Sequence, residues 1–103
     1  MIWCSSSAIS TGGVITALAD QAAGIAVTSG LPKGRIGVTL ELKVNFLAPA
    51  DGSELVAGAK TLQMSGSIGV ATVEIFTADD KSERLCAFCT ATRRALDLPA
   101  EFR

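Results

Sequence analysis

A chain of 103 residues, 49% of them hydrophobic, can bury a core without a metal or disulfide staple. Its 9 basic and 10 acidic residues give a net charge of −1, and aromatics make up only 5%, so no basic or base-stacking surface for nucleic acid is expected. With no histidine, serine–histidine–aspartate triads, cysteine–histidine nucleophiles and Cys/His zinc sites are excluded, and 3 cysteines, an odd count, point to a reducing, cytoplasmic compartment.

Residues 1–10 read as irregular chain or a short strand. Thr11 is a suitable N-cap, and the following GGVITALADQAAGIAVT predicts a helix over Gly12–Thr28. This helix is apolar on nearly every side, which predicts burial all round. No basic residue precedes it, so a signal peptide lacks its charged start, and Asp20 is penalised in a membrane span. The glycine pair leaves backbone N–H groups uncovered at the helix start, which suits either an anion or oxyanion site or a simple tight turn. Gly13, Thr16, Asp20 and Gly24 fall on one face at spacings of three and four. Asp20 is the only charged side chain between Met1 and Pro32. A carboxylate inside a buried helix is costly unless partnered. Three explanations remain open for it: catalysis, capping of a neighbouring backbone, or an ion pair with Lys43 or Arg35.

Residues 29–35 form a loop with two glycines and a proline. Residues 36–47 alternate as a strand, with Ile36, Val38, Leu40, Leu42, Val44 and Phe46 on a buried face and Thr39, Glu41, Lys43 and Asn45 opposite. A turn at 48–53 leads to a strand at 54–64, and Ser65, Gly66 and Ser67 signal a tight hairpin into a strand at 68–77. After a turn at 78–82 comes a strand at 83–94, in which Cys86 and Cys89 are three apart and so point to opposite faces. That makes them fillers rather than a redox pair. Residues 95–103 are a tail. The expected architecture is a single α+β domain over residues 1–103, one long helix wrapped by a curved antiparallel meander.

TGGVITALADQAAG, then GVTLELKVNFLAPA, then the strand–SGS–strand hairpin resemble the hotdog-fold acyl-CoA thioesterases. The nearest branch acts on phenylacetyl-CoA and 4-hydroxybenzoyl-CoA. The resemblance covers residues 11–94 and implies hydrolysis of an acyl-CoA thioester to free acid and CoA. It assigns Asp20 as general base or nucleophile, the Gly12 N–H as the group polarising the thioester carbonyl, and Thr39 as the hydroxyl orienting the attacking water. It places Gly13 beside the substrate and Ser65, Gly66 and Ser67 along the CoA channel. It implies no metal and no cofactor beyond the CoA of the substrate, no nucleic-acid or membrane partner, and a homodimer or homotetramer whose sites combine two subunits.

The chain departs from that pattern in four places. Thr11 stands where the family has histidine. Only ten residues precede it, a shortened N-terminus beside the family's usual helix and full first strand. A common upstream asparagine would fall near Ser5. The basic residue usual at the hairpin is absent, which leaves Lys33, Lys60, Arg93 or Arg94 as candidates for CoA phosphate. These departures motivate two other readings: a non-catalytic hotdog module binding acyl groups or acyl-CoA, and a structural subunit with Asp20 in a buried ion pair.

Overall fold

The alanine-rich run folds as one helix, α1 (Gly12–Thr28), in a computed structural model that describes residues 2–6, 12–31, 35–50 and 54–97. The Thr11 cap, Lys33 and the tail beyond residue 97 lie outside the described residues. Five strands follow the chain order: β1 (Ile2–Ser6), β2 (Arg35–Phe46), β3 (Glu54–Ser65), β4 (Ile68–Ala78) and β5 (Glu83–Asp97). They make one sheet in the order β1-β3-β4-β5-β2, antiparallel at every pairing. This is the α+β arrangement expected, a helix held in a curved sheet, but it is not a simple meander. Only β3, β4 and β5 run on as neighbours, and β2 crosses to the far side of β5. The segment after β2 is therefore a crossover rather than a turn. Its start is pinned to β5 by the Leu47 and Ala48 amides, which both donate to the Cys86 carbonyl.

The core is built from small side chains. Ala19, Ala22 and Ala23 of α1 meet Ala57, Ala59, Ala71, Ala87 and Ala91 of the sheet, all fully buried. Methyl groups on both sides let the helix backbone sit close to the strands. Larger fillers, Leu55, Val73, Ile75, Cys86 and Cys89, close the layer. The hairpin between β3 and β4 is a two-residue loop in which Gly66 has φ +60°, the left-handed value that glycine adopts without strain.

Each long pairing contains an irregularity that places one residue outside the ladder. Leu40 is extra in β2, Leu62 in β3 and Cys86 in β5. Such bulges bend a strand and increase its twist, which curves this sheet around α1. They also overturn two expectations about facing. The alternation over residues 36–47 breaks at Leu40. Thr39 lies on the helix side together with Leu42 and Phe46, while Leu40 is 56% exposed. Likewise, Cys86 and Cys89 both enter the buried cluster instead of dividing between faces. An inserted residue adds one step to a period of two, so the side chains on either side of it change places.

Candidate active site

Helix and edge strand together border an open cavity of about 670 Å³. From α1 it is lined by Gly13, Thr16 and Asp20, three of the four residues read onto one face from the spacing, together with Ala17, and from β2 by Thr39, Leu42 and Phe46. Its walls are apolar, and Asp20 supplies the charge among its described lining residues. The helix start at Gly12 has no acidic side chain in its first turn, so the positive end of the helix dipole is not neutralised there.

Asp20 is held at one oxygen. Thr39 Oγ1 donates to Asp20 Oδ1 at 2.6 Å. Arg93, from β5, brings Nη1 to the same Oδ1 at 3.3 Å and also donates from Nη1 to Thr39 Oγ1. Its Nη2 donates to the Gly37 carbonyl at 2.8 Å. The arginine side chain is 11% exposed and the aspartate 45%, so the cation is sunk and the carboxylate still meets solvent in the cavity.

Two glycines make room for the guanidinium. A Cβ built on Gly24 of α1 would stand 3.2 Å from Arg93 Cζ, and one on Gly37 of β2 would stand 3.3 Å from Nε. The guanidinium thus fills a slot between two backbones that any side chain there would narrow.

The ion partner of Asp20 is therefore Arg93, not Lys43 or Arg35. Arg35 engages Asp97, with Nε to Oδ1 at 3.2 Å, and Lys43 is exposed. Arg93 is also removed from the candidates for CoA phosphate, because it is turned inward. The residues brought together at the cavity are Gly13, Asp20 and Thr39, with Gly12 adjoining as the first residue of α1. Ser65, Gly66 and Ser67 are not among its lining; their hairpin lies next to Ala95, whose amide donates to the Ser67 carbonyl at 2.6 Å. Sequence reasoning missed Arg93 as a partner, although one signal existed: Ala87, Cys89, Ala91 and Arg93 occupy alternate positions of β5. An arginine continuing a fully buried row needs an acidic partner.

The thiols of Cys86 and Cys89 are not competing nucleophiles. Burial, with Cys86 as a second contributor, pushes Cys89 up to about 11, and both cysteines are fully buried. Among the described residues, no group of three His, Cys, Asp or Glu side chains is placed to hold a metal ion. No helix among them is long and apolar enough to cross a membrane.

A family model described as the thioesterase superfamily matches residues 11–83, most of the chain. The chain belongs to the thioesterase superfamily. The match ends where β5 begins, so Arg93 lies outside it. A relative from Halobacterium salinarum, provisionally named an esterase, is 36% identical over 74 residues, 70% of this chain and 48% of that one. A thioesterase family protein from Silicibacter pomeroyi superposes with a TM-score of 0.82 at 33% identity, covering 84% of this chain and 64% of that chain. The BH2602 protein from Bacillus halodurans, solved with CoA, superposes at 0.75 with 28% identity over 84% of this chain and 55% of that chain. The chain thus spans about half the length of its Halobacterium relative and less than two thirds of either structure. As a thioesterase-superfamily member it carries the fold expected from the sequence, one helix in a curved antiparallel sheet.

Proposed function

We propose that the protein hydrolyses acyl-CoA thioesters, with Asp20 as the reacting carboxylate. The observation that carries this reading is a carboxylate 45% exposed in an apolar cavity and engaged at Oδ1 only. Oδ2 is then the oxygen available to substrate or water. It takes a proton from water as the water oxygen bonds to the thioester carbonyl carbon. The carbonyl oxygen, now an anion, is held by backbone N–H groups. Collapse breaks the carbon–sulfur bond, and the departing CoA sulfur takes up a proton. Thr39, already hydrogen-bonded to the carboxylate, orients the water. Direct attack by Oδ2 on the carbonyl carbon uses the same geometry: the carbon–sulfur bond breaks, CoA leaves as thiolate and takes up a proton, and water then hydrolyses the resulting anhydride to the free acid.

The oxyanion amide of this reading comes from a second copy. Gly12 precedes Asp20 by eight residues, about 12 Å along the axis at 1.5 Å per residue. Reacting groups must approach to about 3–3.5 Å, so one chain's Gly12 and Asp20 do not reach one thioester together. Strand β2 supports an assembly, since it is a long edge strand that pairs with β5 on one side and exposes Leu40 and Phe46. A homodimer, or a tetramer of two such pairs, follows. The CoA in the Bacillus halodurans relative supports a CoA thioester as the substrate class.

The test is thiol release across a panel of aryl, short-chain and medium-chain acyl-CoAs, with wild type and Asp20→Asn. Turnover by the wild type and a loss of at least about 100-fold in kcat for the variant is the expected result. A variant at full rate removes Asp20 from the mechanism.

A second reading has one observation in its favour, the ion pair to Arg93, which gives Asp20 a structural partner. In that case the chain binds acyl groups or acyl-CoA without cleaving them. Ligands then raise the melting temperature while no thiol is released. Hydrolysis is preferred because the pair is not sealed: the carboxylate is four times as exposed as the arginine, 45% against 11%.

A further inference from the structure

We propose that Arg93 is a positioning residue for this hydrolysis, a role that rests on the reading of Asp20 given above. Its guanidinium fixes Asp20 and Thr39 in one orientation, so that Oδ2 and the water-orienting hydroxyl face the cavity together. Three contacts carry the inference. Nη1 reaches both Asp20 Oδ1 and Thr39 Oγ1, and Nη2 is tied to the Gly37 carbonyl. The planar fork therefore sets the angle between α1, which carries the acid, and β2, which carries the hydroxyl. Lysine has a single rotating ammonium in place of this fork and cannot hold all three acceptors in one plane.

The cost of the arrangement argues for a role beyond packing. Arg93 Nε is buried with no hydrogen-bond partner. A buried orphan donor is destabilising, and natural structures remove most of them. Two backbones also give up their side chains, at Gly24 and Gly37, to admit the group. A glycine inside a helix is itself unfavourable. A stability device would not need this pair, because apolar side chains in place of both Asp20 and Arg93 would fill the space without the orphan.

Four variants test the inference: Arg93→Met, Arg93→Lys, Gly24→Ala and Asp20→Asn, each measured for kcat, KM and melting temperature. Gly24→Ala matters most because it removes no charge. Its Cβ meets the guanidinium at 3.2 Å and displaces it by a few tenths of an ångström, while alanine is the better helix former. Misplacement by about 1 Å costs about 100-fold, so Gly24→Ala should lower kcat about three- to tenfold with the melting temperature held within a few degrees. Arg93→Met should lower kcat about 10- to 100-fold with KM changed less than about threefold, and Arg93→Lys should recover only part of that loss. If Arg93→Met does not fold, Gly24→Ala decides alone. Arg93→Met and Gly24→Ala at wild-type kcat beside an inactive Asp20→Asn overturn the positioning role and leave the hydrolytic reading intact. An Asp20→Asn protein at full rate, or a wild type that releases no thiol, overturns the hydrolytic reading and this inference with it.

Discussion

Removing one residue from β2 should have very unequal consequences at two positions three residues apart. Leu40 is outside the ladder: Thr39 pairs with Arg93 and Glu41 with Thr92, and no β5 residue is opposite Leu40. Deleting it leaves Thr39 and Leu42 two apart, still on the helix side. Little apolar burial is lost, since Leu40 is 56% exposed. The change should stay within about 1 kcal/mol, or about 4–8 °C in melting temperature for a chain of this size. Deleting Lys43 is different. Either the residues after it change faces, turning Val44 out and Asn45 in, or the bulge dissolves and Glu41 turns in while Leu42 turns out. Val44 and Leu42 are partly buried against the core. Losing about half of a full Val or Leu burial costs about 1 kcal/mol. Facing a polar side chain inward adds about 1–3 kcal/mol. The sum, about 2–4 kcal/mol, corresponds to a fall of about 8–30 °C. Thermal melts followed by far-UV circular dichroism read both. Equal shifts for the two deletions would show that the bulge does not set the faces of β2.

Three further outcomes follow from other parts of the molecule. Ala22→Leu places three extra carbons at a fully buried contact between helix and sheet, and should cost about 1–3 kcal/mol by chemical denaturation, whereas Ala17→Leu on the exposed cavity face should leave the midpoint nearly unchanged. Asp79 Oδ1 accepts from the Lys81 and Ser82 amides at 2.9 Å, and these bonds hold its carboxyl below the usual range. A depressed folded value gives stability that is full above the unfolded value of about 3.9 and is lost as pH falls through the folded one, so the melting-temperature gap between wild type and Asp79→Ala should be constant from pH 7 to 5 and close below about pH 4. Iodoacetamide at pH 8 should leave Cys86 and Cys89 unlabelled in the native protein and label both in denaturant, by peptide mass; native labelling would contradict their burial and the raised value of Cys89.

The sequence showed some of this site directly and hid the rest for identifiable reasons. The helix Gly12–Thr28 was legible because a run of small apolar residues between glycines has few alternatives. The face carrying Gly13, Thr16 and Asp20 follows from helical spacing alone, and those three residues do share the cavity. Strand positions were legible to within a few residues, although β5 continues to Asp97 because Arg35 and Ile36 of β2 still pair with it there. The bulges were not legible, because Leu40 is apolar and suits an alternating pattern as well as it suits an insertion. Strand order was hidden too, since nothing local distinguishes a crossover from a turn over residues 48–53. Arg93 was missed as the partner of Asp20 for the same reason: 73 residues separate the pair, and only the docking of β5 beside β2 brings them together.

That separation has a consequence for how the molecule comes into being. In synthesis Thr39 emerges 19 residues after Asp20, and Arg93 a further 54 residues later. Until β5 arrives, β2 lacks the strand it lies against and the acid lacks its counter-charge. Closing so long a loop is slow compared with winding a helix. The acid, the hydroxyl and the counter-charge are thus brought together in one step, when β5 docks beside β2, rather than one after another.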